Sequence, residues 1–218
     1  MNLKNITLYA ILGYSYFFIM RAVGTIFPAT NYNETWMIIE LSLNFIANLG
    51  ITLFFLYLLK EFIKDDEYSL MNSTVAAFLG SLSILLLKAL NGFSSLISVP
   101  IDHTIPGRYM VNMVTWIQGF IIVIFFVNFS SNLCKIKSLK LCKPVLWGLW
   151  GIIVSFILHS INLLNYYYYS VNGEIFIDLR RNHYILPGII LIIFSYLSLI
   201  YFLIMFYKSL GNKKVKEK

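Results

Sequence analysis

Six long apolar runs separated by short polar segments dominate the chain, at about 7–28, 36–60, 69–92, 109–131, 143–167 and 184–208. Each run is longer than the roughly 20 residues a helix needs to cross about 30 Å of hydrocarbon. A helix on a water-soluble domain would instead show one apolar stripe and a charged opposite face. The pattern predicts an all-α integral membrane protein of six transmembrane helices, because only within helices can a lipid-exposed backbone satisfy its own polar groups. The linkers, longest at about 93–108 and 168–183, are too short for a soluble domain, so residues 1–218 read as one polytopic membrane domain. The first run is too long for a cleaved leader, contains Arg21 and lacks a small-residue cleavage pattern, so it is expected to remain as a span.

The odd-numbered spans resemble one another. Gly13 is followed by Arg21 and Gly24, Gly80 by Lys88 and Asn91, and Gly151 by His159 and Asn162, at the same separations each time. The unit suggested is a helical hairpin of about 70 residues used three times in tandem, a device common in membrane transport folds. It predicts that the three glycines make equivalent close helix contacts and that the three basic residues lie at one depth.

Composition agrees with the spans. The chain is 59% hydrophobic, 17% aromatic and 12% charged, which excludes a soluble enzyme and a disordered tail. Its net charge of +7 would suit a nucleic-acid partner until the charges are located. Twelve lysines (4, 60, 64, 135, 137, 140, 143, 208, 213, 214, 216 and 218) fall on one side of the six spans, and only Arg108, Arg180 and Arg181 on the other. The bias predicts a plasma-membrane protein with both termini cytoplasmic and no nucleic-acid partner. Trp36, Tyr109, Tyr184 and the run Tyr166 to Tyr169 fall at outer span boundaries, where amphipathic rings favour the headgroup region. Cys134 and Cys142 share a Lys-rich inner loop and are expected to be two free thiols in a reducing compartment.

The candidate chemistry lies in polar residues inside the spans, where ionisable groups are costly and usually face a bundle interior or cavity. Arg21, Lys88 and His159 fall in the outer halves of spans one, three and five, and Asn91 and Asn162 follow the latter two. Lys88 is near enough to the outer end for its long side chain to snorkel there. Span two carries Glu40, Asn44, Asn48 and Thr52 at intervals of four, one stripe down one helix face. Span four adds Asn112, Thr115 and Gln118, and span five Ser155. Lipid satisfies none of these groups, so they are expected to meet each other, water or a ligand.

Glu40 is the one acid inside a span and neutralises one cation, for which Arg21 is the natural partner. Lys88 and His159 then remain for an anion, with Arg180 above them in an outer loop. The reading is an outward-facing, net positive intramembrane cavity that binds or transports an anionic small molecule or lipid headgroup. A structural or sensory membrane module, with the polar stripes as interhelical glue, is the alternative. A membrane enzyme acting on a lipid or isoprenoid, with His159 or Glu40 as acid or base, is the second. Catalytic signatures argue against the last: there is no His-Glu-x-x-His, no pair of intraspan histidines for haem, and no nucleophile elbow around Ser155. No metal and no cofactor is expected, and the chain reads as a binder more than an enzyme.

Overall fold

A computed structural model describes the backbone of residues 2–26, 34–64, 68–97, 105–135, 139–172 and 182–212, and side chains within 2–20, 38–64, 68, 70–90, 110–134, 141–165, 167–168 and 187–210. The described residues form six α-helices: α1 Leu3–Ile26, α2 Glu34–Lys64, α3 Tyr68–Ile97, α4 Ile105–Lys135, α5 Leu139–Asn172 and α6 Asn182–Asn212. The helices α2 to α6 each cover one expected span and overrun it, because a helix continues past the hydrocarbon wherever nothing stops it, and α1 covers the first span as far as residue 26. Among the described residues five helices, α2 to α6, are long and apolar enough to cross a membrane. Asn2 caps α1, its Oδ1 accepting from the Asn5 N–H at 3.0 Å.

The helices pack in chain order, and α6 returns to pack on α1, closing a ring. Lys4 helps seal that closure with its ammonium 4.9 Å from the centre of the Tyr207 ring. Chain-neighbouring helices are antiparallel, so the starts of α1, α3 and α5 lie with the ends of α2, α4 and α6 at the Lys-rich end of the bundle.

The core lies in that Lys-rich half and is built from phenylalanines of the even-numbered helices. Phe55 meets Phe125 edge-on at 5.3 Å, Phe126 meets Phe202 at 5.1 Å, and Phe54 meets Phe206 at 5.9 Å. These edge-to-face pairs join α2, α4 and α6 across the ring, and only large side chains span that gap. Phe55, Phe125, Phe129 and Phe202 are fully buried.

Buried positions in the core recur from one helix pair to the next. In α1, Thr7, Ala10 and Gly13 are buried; in α3, Thr74, Ala77 and Gly80; in α5, Val145, Gly148 and Gly151, always at steps of three. Gly13, Gly80 and Gly151 each face the second helix of their own hairpin, against Ala47, Gln118 and Ser195 respectively. Counting onward from those three residues, the buried positions coincide: Ile51, Ile122 and Leu199, then Phe54, Phe125 and Phe202, then Leu58, Phe129 and Phe206.

The three glycine contacts are not equally tight. A Cβ at Gly13 would stand 2.7 Å from the Ala47 carbonyl oxygen, and one at Gly151 2.8 Å from that of Ser195. At Gly80 the nearest atom is Gln118 Cγ at 3.5 Å, an ordinary contact. The Gln118 Cα stands 3.8 Å from that added Cβ, against 3.4 Å for the Ala47 Cα at Gly13.

The cysteines correct the expectation of free thiols. Cys134 and Cys142 are joined as a disulfide, with Cα atoms 5.0 Å apart. The antiparallel packing of α4 and α5 sets the last turn of one helix beside the first turn of the other. Two cysteines eight residues apart across that short connection therefore come within bonding reach.

Candidate functional site

Toward the end opposite the lysines, the same helix faces that form the core turn polar. A side chain seven residues away, close to two turns, keeps nearly the same direction on a helix. Seven residues from the buried Phe55, Ile51, Phe125 and Ile122 stand Asn48, Asn44, Gln118 and Thr115; on α3 and α5, seven beyond Ser81 and Ile152 stand Lys88 and His159. The candidate residues thus lie on the core-facing stripes of their helices, above the aromatic floor.

These stripes are less tightly packed than the core. Asn48, next to the floor, is 8% exposed, while Glu40, Asn44, Gln118, Lys88, His159 and Asn162 are half-buried. Among the described residues α4 has no buried position before Ile122 and α5 none after Ile152, whereas α3 stays buried as far as Leu87. The sequence pattern explains the gradient: Phe and Leu at the inward positions are replaced by amides, hydroxyls and cations that do not interlock as tightly.

Several polar groups are satisfied within their own helix. Asn48 Nδ2 donates to the Asn44 carbonyl at 2.8 Å, Thr52 Oγ1 to that of Asn48 at 2.8 Å, and Thr115 Oγ1 to that of Val111 at 2.8 Å. The expectation that such groups need each other, water or a ligand therefore holds less strictly for these donors, because each returns to the carbonyl four residues earlier. His159 Nδ1 lies 2.8 Å from the Ser155 carbonyl, which holds a proton on Nδ1, so the ring offers an anion a second donor at Nε2 only when it is protonated.

Between helices, the Tyr16 hydroxyl approaches the Glu40 backbone carbonyl at 3.5 Å, linking α1 to α2. Trp116 Nε1 donates to Ser160 Oγ at 2.8 Å, linking α4 to α5, and its ring stacks on Phe120 and tilts against Phe156. Neither Trp116 nor Ser160 was among the expected site residues. The Trp is the one indole inside span four, and a buried indole N–H seeks an acceptor, so the signal was present in the sequence. The side chains of Arg21, Asn91 and Arg180 lie outside the described residues, as do the Arg21–Glu40 pairing and the common depth of Arg21, Lys88 and His159.

A groove of about 600 Å³ runs between α5 and α6, lined by Trp147, Ile190, Phe194, Leu197 and Tyr201. Its walls are apolar and these residues are largely exposed on the bundle's surface, where acyl chains would lie. It includes none of the candidate polar residues. Among the described residues no three His, Cys, Asp or Glu side chains gather as a metal site would require.

No family model matches the chain, and no curated protein and no solved structure matches it either. The fold itself defines the class. This is a multi-pass helical membrane protein whose environment is a lipid bilayer.

Proposed function

We propose that the polar half of the bundle binds an anionic small molecule or a lipid headgroup, entering from the side opposite the lysines, either as a receptor site or as a station in transport. The observation that carries the reading is the register: Lys88 and His159 continue the buried stripes of α3 and α5 and remain half-buried. Asn44, Asn48, Gln118 and Asn162 stand on neighbouring stripes as neutral hydrogen-bonding groups. A cation at such a position is costly in lipid and is favoured by an anionic partner. Arg21, Asn91 and Arg180 join the site in this proposal, with Arg21 pairing Glu40 and Arg180 raising the local anion concentration. The 12 to 3 distribution of basic residues supports a plasma-membrane location with both termini and the Lys-rich end in the cytoplasm.

The test is a binding titration of the purified protein with inorganic phosphate and with a short-chain phosphatidic acid. Lys88→Gln and His159→Gln should each weaken binding of one probe by roughly tenfold or more, the loss of one charge-assisted contact, with the melting temperature unchanged. If neither probe binds, or if both variants bind as the parent does, the proposal fails. The helix-internal hydrogen bonds of Asn48, Thr52 and Thr115 favour a second reading for those three residues alone, in which they support packing.

A further inference from the structure

The disulfide stands at the end of the bundle where the charge pattern argues most strongly against a permanent one. Cys134 lies in the last turn of α4, Cys142 in the first turns of α5, and both are half-buried, within reach of a small reagent. Lys135, Lys137, Lys140 and Lys143 surround them in sequence, and Lys143 is exposed. Clustered cations favour the thiolate, the nucleophilic form in disulfide exchange. The same lysines supply part of the bias that assigns this end to the cytoplasm, where thiols are kept reduced and disulfides that do form are transient.

We propose that Cys134 and Cys142 are a reversible dithiol–disulfide site on the cytoplasmic face, oxidised by exchange with a low-molecular-weight disulfide such as glutathione disulfide. The inference rests on the orientation given under Proposed function. One thiolate attacks a sulfur of the incoming disulfide, forming a mixed disulfide and expelling one thiolate. The second cysteine then attacks the mixed disulfide at the protein sulfur and expels the other. The pair gives up two protons and two electrons, and the incoming disulfide leaves as two thiols.

The position gives the bond a mechanical role. Leu133 and Leu141, each adjacent to one of the cysteines, pack against the aromatic core, and Phe129 lies five residues before Cys134. Oxidation therefore ties α4 to α5 beside the aromatic core that underlies the candidate site. Reduction releases that tie.

The experiment reads the thiol state of the full-length protein. Cells are quenched in acid, the protein is alkylated with a polyethylene-glycol maleimide, and additions are counted by gel shift, with Cys134→Ser/Cys142→Ser as the blank. Two additions are expected from unstressed cells. In inside-out vesicles, glutathione disulfide should lower alkylation at least tenfold and reduced glutathione should restore it. Replacing the four lysines with Gln should slow the exchange severalfold.

A pair that is alkylated only after denaturation and strong reduction, whatever the glutathione state, is a permanent structural bond and overturns the redox site. If an impermeant maleimide labels the reduced pair from outside intact cells, the orientation falls as well. A permanently oxidised pair, together with a single cysteine at 140 that is labelled only from the cytoplasmic side in a cysteine-free background, would overturn this inference alone.

Discussion

The tightest glycine contact among the described residues allows a quantitative test. Gly13→Ala would place a Cβ 2.7 Å from the Ala47 carbonyl oxygen and 3.4 Å from the Ala47 carbonyl carbon and Cα, all backbone atoms that no rotamer change can move. Carbon–oxygen contacts settle at about 3.3 Å or more, so α1 and α2 must part by about 0.6 Å locally. A gap of that size forfeits roughly a quarter to a half of the dispersion energy at each contact it opens. Overpacking of this kind costs about 1–3 kcal/mol. Exchanging glycine for alanine within a helix returns at most about 1 kcal/mol.

Gly188→Ala is the matched control, because nothing lies within 4 Å of its added Cβ and only the helix-propensity gain remains. Thermal unfolding of both variants in one detergent, followed by circular dichroism, should place Gly13→Ala below the parent and Gly188→Ala at or above it. The separation between the two should be about 1–3 kcal/mol. Gly50→Ala, whose Cβ would meet the Tyr9 carbonyl oxygen at 2.9 Å, opens the same interface, so the double variant should lose less than the sum. Equal stability for Gly13→Ala and Gly188→Ala would refute the close approach of α1 and α2.

Phe125→Ala should cost about 3–5 kcal/mol, since the side chain is fully buried and its ring contacts Phe55, Phe126 and Phe129; detergent unfolding measures it, and a loss below about 1 kcal/mol would contradict an aromatic floor. Trp116→Phe and Ser160→Ala should show a coupling of about 0.5–1.5 kcal/mol in a double-mutant cycle, the worth of one interhelical hydrogen bond, whereas additive losses would dissolve the bond. Single cysteines placed at 140 and 213 in a cysteine-free background should react with an impermeant maleimide only after the cytoplasmic side is opened, and one at 180 should react in intact cells.

Much of the fold was legible before any coordinates. Hydrophobic run length alone identifies six helices, because a helix in lipid needs apolar residues on every side and leaves a continuous signature. The register of Gly13, Gly80 and Gly151, each facing the next helix, was visible in the sequence, and the order of close-packed and polar halves follows from where Phe gives way to Asn, Gln, Lys and His along each helix. Phe54, Phe125 and Phe202 occupy corresponding positions, yet their equivalence emerges only when each is counted from the residue that its hairpin's glycine touches. Each glycine and the residue it faces are 34, 38 and 44 positions apart in the three helix pairs (47 − 13, 118 − 80 and 195 − 151), so counting along the chain alone obscures the match.

Tertiary structure decided what depends on distance between helices. Sequence spacing alone ranked Gly13, Gly80 and Gly151 as equals, but an added Cβ would meet a backbone carbonyl oxygen at the first and last and, at Gly80, nothing nearer than Gln118 Cγ at 3.5 Å. The stripe of Asn44, Asn48 and Thr52 was legible as one face, while the return of its donors to the helix's own carbonyls is a rotamer choice made in the folded bundle. Cys134 and Cys142 show the division most clearly. Their residue type and Lys-rich surroundings pointed to free thiols, since compartment is what sequence context reports. Whether two sulfurs meet depends on the antiparallel docking of α4 on α5, a long-range arrangement that neither helix encodes by itself.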